Sequence, residues 1–174
     1  MAATFIWYQD YSAGRTSFSG IANCNWKNVD DPAQAYSSFP ITAGNNSYDL
    51  WMYGKFIGAF NQILNGLWAH TAGVFGAGLT LKCSPPNISG IVYTQPVTTA
   101  TAALTVDMTA VSGIGNGMLI NFGLTDAQPI GKAASSTGPA PVYTNYMVTQ
   151  LQTTGSAVAG DTITATFTLQ YDEN

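Results

Sequence analysis

Few side chains in this chain can do chemistry, and their spacing limits what they can do. His70 is the only histidine of 174 residues. A metal site built on several imidazoles is therefore excluded, and a Ser-His-Asp relay would have to use His70. No serine sits in a Gly-x-Ser-x-Gly turn to complete such a relay. Beside Trp68 and Thr71, His70 reads as a packed or hydrogen-bonded side chain. Asp30 and Asp31 are adjacent, so on a strand they would point to opposite faces. Followed by Pro32, they suit a turn or a cap. Asp49 and Asp107 are the acids a glycosidase pair could draw on, but only their charge links them. The sole glutamate is Glu173. Gly113–Gly117 is glycine-dense yet lacks the lysine and following helix of a phosphate-binding loop, so a tight turn is expected. Asn45-Asn46-Ser47 and Asn87-Ile88-Ser89 fit the glycosylation triplet, which matters only in an exported chain. The inventory predicts no catalytic residue, no cofactor and no metal.

Composition narrows the partners. Hydrophobic residues make up 46% of the chain and charged residues 8%, against roughly 25% charged in ordinary soluble domains. The five basic residues stand singly and the net charge is −4, so the basic footprint of a nucleic-acid binder is missing. MAATFIWYQD lacks the basic start of a signal peptide, and no apolar run is long enough to span a membrane. The expectation is a chain made in the cytosol, with Cys24 and Cys83 as free thiols. A surface of Thr, Ser, Asn, Gln and Gly suits a protein packed against copies of itself or a partner. A secreted β-protein is the alternative.

The elements that must carry these residues are strands. One domain is expected over 1–174, with 1–20 as a possible N-terminal arm and loop. Ala3–Gln9 reads as a strand or extended arm, Asp10–Gly20 as a loop, and Ile21–Asn28 as a strand. Tyr48–Phe60 is a long apolar run. Trp51, Tyr53, Ile57 and Ala59 share one face and Leu50, Met52, Phe56 and Phe60 the other, as in a strand covered on both sides. Asn61–Gly66 is then a turn and Leu67–Thr71 a return strand, giving a hairpin. Leu79–Cys83, Gly90–Thr94, Ala103–Thr109 and Met118–Phe122 follow as strands, with Leu104, Val106 and Met108 inward. Pro129–Pro141 is a small-residue loop. Tyr143–Gln152 alternates, with Tyr143, Asn145, Met147, Thr149 and Leu151 opposed to Tyr146, Val148 and Gln150. Asp161–Tyr171 alternates most regularly: Ile163, Ala165, Phe167, Leu169 and Tyr171 face the core, and threonines fill the other face. The fold class is all-β, an antiparallel β-sandwich of jelly-roll-like form with an extended N-terminal arm or strand.

The aromatics Phe5, Trp7, Tyr8, Trp26, Trp51, Tyr53 and Trp68 are read as core and interface anchors. The alternative for the tryptophans is sugar stacking, with Trp7 and Trp26 the residues to test.

The pattern Asn46-Ser47-Tyr48-x-x-Trp51, then Lys55-Phe56-x-Gly58-x-Phe60-Asn61-x-Ile63-x-Asn65, resembles segments of tailed-bacteriophage structural proteins. So does the ending Asp161-Thr162-Ile163-Thr164-Ala165-x-x-x-Leu169-Gln170-Tyr171-Asp172-Glu173. The resemblance covers about a third of the chain. It implies a non-enzymatic virion component, a capsid decoration (cement) protein that binds the major capsid protein on the shell surface. Such proteins are often homotrimers. A tail, neck or fibre-associated subunit and a carbohydrate-binding sandwich are the alternatives. Deleting Met1–Gln9 is expected to weaken attachment while leaving the fold intact.

Overall fold

The computed structural model describes residues 3–13, 17–85, 93–120, 122–123, 135–137, 142–158 and 164–174. In chain order the strands are β1 (Thr4–Tyr11), β2 (Ser17–Ile21), β3 (Leu50–Ile57), β4 (Gln62–Ala72), β5 (Leu79–Cys83) and β6 (Val106–Asp107). They continue as β7 (Met118–Leu119), β8 (Phe122–Gly123), β9 (Ser135–Thr137), β10 (Val142–Thr144), β11 (Met147–Thr153) and β12 (Thr166–Glu173). The larger sheet runs β2-β1-β3-β11-β5-β6, with β10 between β3 and β8. The smaller runs β12-β4-β7, with β9 also on β4. All pairings between these strands are antiparallel. The two sheets pack on each other as an all-β sandwich.

Side-chain parity makes β3 central. Leu50, Met52 and Phe56 enter the core between the sheets, where they join Leu81, Cys83, Met147 and Leu151 from β5 and β11. The opposite parity, Trp51 and Tyr53, forms a second apolar cluster with Leu104, Tyr143, Tyr146 and Val148. A strand apolar on both faces is thus covered on both faces. Alternation also holds at Leu104 and Met108, which are buried between exposed Thr105 and Asp107. In β12, Phe167, Leu169 and Tyr171 are half-buried and pack on the core, while Thr166, Thr168 and Gln170 are exposed.

The expected hairpin does not form. β3 pairs with β1, β10 and β11, whereas β4 pairs with β12, β7 and β9. The chain changes sheets between Ile57 and Gln62, at Gly58 with φ 110°, a left-handed backbone that glycine adopts without a Cβ clash. The expected turn at Asn61–Gly66 lies mostly within β4. Gln170 pairs with Leu67 but Asp172 with Leu64, so Asn65 and Gly66 together oppose Tyr171. Asn65, at φ 51°, therefore spends its tolerance of left-handed angles on a β-bulge.

At the N-terminus, β1 is a strand hydrogen-bonded to β2 on one side and β3 on the other. Deleting Met1–Gln9 would remove most of an interior strand, and Gln9 is itself buried. The expectation that the truncation leaves the fold intact is corrected on that ground. The second strand is Ser17–Ile21 rather than Ile21–Asn28; it falls in the segment expected to be loop, and residues 22–28 are irregular. The Ala103–Thr109 strand shortens to β6, and part of Pro129–Pro141 is β9. Most of Gly90–Thr94, the start of Asp161–Tyr171 and the triplet at Asn87 lie outside the described residues. Along Tyr143–Gln152 the parity shifts once. Tyr143 pairs with Lys55 but Met147 with Met52, which inserts one extra residue on the β10–β11 side. That bulge puts Tyr143 on the same face as Tyr146 and Val148, opposite to the expected side.

Candidate functional site

The aromatic anchors divide between the two faces of the larger sheet. Phe5, Trp7, Trp26 and Trp68 lie between the sheets. Phe5 meets Trp7 edge-on at 4.7 Å, Trp7 lies 6.1 Å from Trp68, and Trp26 lies 6.0 Å from Phe167. The Trp26 indole Nε1 donates to Thr149 Oγ1 at 3.0 Å. Trp7 and Trp26 thus pack toward the core, each partly buried. Tyr8, Trp51 and Tyr53 lie on the outer face. Tyr8 stacks on Tyr53 at 5.4 Å, and Trp51 meets Tyr146 at 5.4 Å and Tyr93 at 5.2 Å. Trp51, Tyr53 and Trp68 are buried within this chain, so they hold its own core rather than face a partner.

A covering segment over residues 93–104 lies on that outer cluster, held down by buried polar side chains. Asp49, in front of β3, accepts from the Val97 backbone N–H at 2.5 Å and from Trp51 Nε1 at 3.2 Å. Gln150 Nε2 donates to the carbonyls of Ser47, Val97 and Thr99 at 3.1, 3.4 and 3.4 Å. Asn46 Nδ2 donates to Thr98 O at 3.1 Å, and Tyr93 OH to Ser12 O at 2.6 Å. Ser12 stands at φ 69° and gives its N–H to Asp30 Oδ2 at 2.8 Å. The left-handed backbone there is secured from both sides. Asp10, fully buried, accepts from the hydroxyl of Tyr146.

Burial pushes the carboxyls of Asp49 and Asp30 above the usual range, and the neighbouring Asp49 and Asp31 add to the effect at Asp30. In both, the hydrogen bonds oppose burial without cancelling it. Lys27, also buried, donates to Gln34 O, and desolvation lowers its ammonium pKa. Asp31 closes the turn expected of it, accepting from Ala33 N at 2.9 Å. Asp107 lies on the edge strand β6, paired with Lys82 at 3.2 Å, and hydrogen bonds from Thr109 and Lys82 hold its carboxyl below the usual range against some desolvation. Three strand spacings separate β3 from β6, about 14 Å at 4.7–4.9 Å each. Each carboxylate is bound locally, Asp49 by Val97 N–H and Trp51 Nε1 and Asp107 by Thr109 N–H and Lys82 Nζ.

His70 is fully buried, stacked on Phe167 at 5.0 Å and edge-on to Phe75 at 5.3 Å. Its Nε2 lies 2.9 Å from Ala72 O. It is a packed histidine, as its sequence context suggests. Cys24 and Cys83 are free thiols, each pushed up to about 12 by burial. Cys24 Sγ lies 3.2 Å from Met52 Sδ. Gly113–Gly117 forms a 3-10 turn. Among the described residues, no three of His, Cys, Asp and Glu converge on a common point. A shallow groove of about 200 Å³ beside β2 is lined by Ser19, Asn23, Asn25, Pro32 and neighbours, none ionisable.

The exposed apolar residues are ones that aromatic spacing did not single out. Phe18 is 59% exposed beside Tyr8, Val74 83% and Val158 66%. Phe18 ends an aromatic row that runs over Tyr8 to Tyr53, and Lys55 Nζ lies 5.4 Å from the centre of the Tyr143 ring. The signal that could have found Phe18 is its place in SFSG. It is a large ring among small polar residues, at a strand position facing away from the core. The buried ionisable side chains are bonded within this chain, and its exposed groups include the apolar Phe18, Val74 and Val158. Compared with known proteins, the chain matches no family model, no curated protein and no solved structure.

Proposed function

We propose that this chain is a non-enzymatic structural subunit of a phage virion, bound to the capsid shell as a decoration (cement) protein. Its partners are the major capsid protein and copies of itself. The observation that carries the reading is a surface poor in charge that exposes Phe18, Val74 and Val158. A surface so poor in charge fits repeated, weak, symmetric contacts better than diffusion as a monomer. The buried acids, Lys27 and His70 support it further, because their hydrogen bonds hold loops and strands in place. The likeness of Asn46–Asn65 to phage structural segments supplies the shell as the partner.

Immunogold labelling of virions of the encoding phage, with antibody against this chain, tests the reading. Gold spread over the capsid is the expected result. Gold confined to the tail would move the chain to the tail or neck, and unlabelled virions would remove it from the particle.

A further inference from the structure

We infer that the open edge of β12 pairs with the same edge of a second copy of this chain. The pairing is antiparallel, with Thr168 opposite Thr168, and it joins the two smaller sheets across a two-fold axis.

β12 ends the smaller sheet, and among the described strands it pairs with β4 alone. Long edge strands are normally blunted by lysine, proline, shortness or a bulge that twists them away. From Thr166 to Tyr171 this strand carries no charge and no proline, and its acids, Asp172 and Glu173, stand at one end. Its pairing with β4 is irregular at two points, but the extra residues, Thr71 and one of the pair Asn65–Gly66, belong to β4, so β12 itself runs without an inserted residue. By contrast the strands that end the order of the larger sheet are short: β2 has five residues, Gly20 among them, and β6 has two. The inward side chains of β12 are also unfinished. Ala165, Phe167, Leu169 and Tyr171 pack on the core yet are only partly buried. A neighbouring strand would bury more of these side chains and pair with the side of β12 on which no described strand lies.

The sequence of β12 favours its own copy in one direction. Centred on Thr168, an antiparallel pair sets Thr166 against Gln170 and Thr164 against Asp172 on the outer face. On the inner face it sets Phe167 against Leu169, and small Ala165 against large Tyr171. These are hydrogen-bonding and volume-matched cross-strand neighbours. Parallel pairing in register would instead stack Asp172 on Asp172 and Glu173 on Glu173. The hydroxyl contact between Thr71 and Thr168, at 2.7 Å, would repeat across the axis as a continuous polar row. Such a contact is isologous, so a three-fold assembly would need a further interface elsewhere.

Light scattering and sedimentation of the full chain test the pairing. The expected mass is twice the 18.3 kDa chain. Thr168→Lys adds a charge at an exposed position and sets two ammonium groups face to face in the dimer. It should run as a monomer with an unchanged circular dichroism spectrum. Thr168→Cys should crosslink to itself when incubated with oxidised glutathione, whereas Thr166→Cys, placed opposite Gln170, should not. A monomeric wild-type chain, a Thr168→Lys variant of wild-type mass, or equal crosslinking at both positions would each overturn the inference. The result is separable from the shell: a dimer in solution with unlabelled virions keeps the edge pairing and removes the decoration role.

Discussion

Gly54 sits mid-strand on the inner face of β3, where every other aligned residue carries a large side chain. A Cβ there would lie 2.3 and 2.4 Å from Cε2 and Cζ of Phe5, and 3.2 Å from Thr144 Cγ2. Ordinary carbon contacts are about 3.5–4.0 Å, so the ring must retreat by more than about 1 Å. It cannot do so freely, because Phe5 is wedged against Trp7 at 4.7 Å and Phe56 at 4.8 Å. Overpacking of this kind costs roughly 1–3 kcal/mol. Replacing a mid-strand glycine by alanine returns about 0.5–1 kcal/mol of backbone entropy. Gly54→Ala should therefore destabilise by about 1–2 kcal/mol. In a Phe5→Ala background the methyl has room, and the same change should be neutral or stabilising, a coupling of about 1–3 kcal/mol. Urea unfolding followed by circular dichroism and tryptophan fluorescence reads both. With a slope of roughly 2 kcal/mol/M, the Gly54→Ala midpoint should fall by about 0.5–1 M. A Gly54→Ala midpoint at or above wild type, or the same change in both backgrounds, would refute the account of why this glycine interrupts an aromatic strand.

Two further outcomes are expected. Asp30 has a folded pKa raised above its unfolded value of 3.8. The folded chain thus binds that proton more tightly, and the contribution of Asp30 to stability grows as pH falls through the raised value and is complete below about 3.8. Asp30→Asn should therefore be most favourable relative to wild type at neutral pH, with the advantage shrinking on acidification. Urea midpoints between pH 4 and 8 check this, and an advantage that grows toward acid would contradict it. Gln150→Leu removes the buried side-chain donor from the carbonyls of Ser47, Val97 and Thr99, of which Val97 keeps the Asp49 backbone N–H. A loss of about 1–3 kcal/mol is expected, with faster hydrogen exchange and proteolysis over residues 93–104; unchanged protection there would show that Gln150 does not hold the segment.

Much of the fold was legible because period-two alternation survives wherever one face is buried. Leu79–Cys83 matches β5, and the two apolar faces of Leu50–Phe56 correspond to two separate clusters. Sequence adjacency misled where backbone punctuation has two uses. Gly58 and Asn65 both signal left-handed angles, yet one switches the chain between sheets and the other makes a bulge inside a strand. The parity of Tyr143 was lost because a one-residue bulge leaves no mark in side-chain type. For the ionisable groups, spacing correctly cast Asp31 as a turn residue and His70 as packed. Nothing local announces that Asp49 and Gln150 hold down a segment some fifty residues away, since the tie exists only after β3 and β11 have paired.

The sheet change at Gly58 also sets the order of events during folding. β4 must wait for a partner on one edge until β12 is made, and Asn65 and Asp172, which meet across that pair, are 107 residues apart. The bond from Ala3 N–H to Glu173 spans 170 residues. Nearly every pairing that closes the sandwich is non-local, a topology that folds slowly, in milliseconds to seconds. During synthesis the growing chain therefore carries half-formed sheets with open rims, and it is vulnerable to intermolecular strand exchange for longest at high expression. Slower synthesis or lower temperature should raise the soluble yield of this chain more than stabilising substitutions in either apolar cluster would.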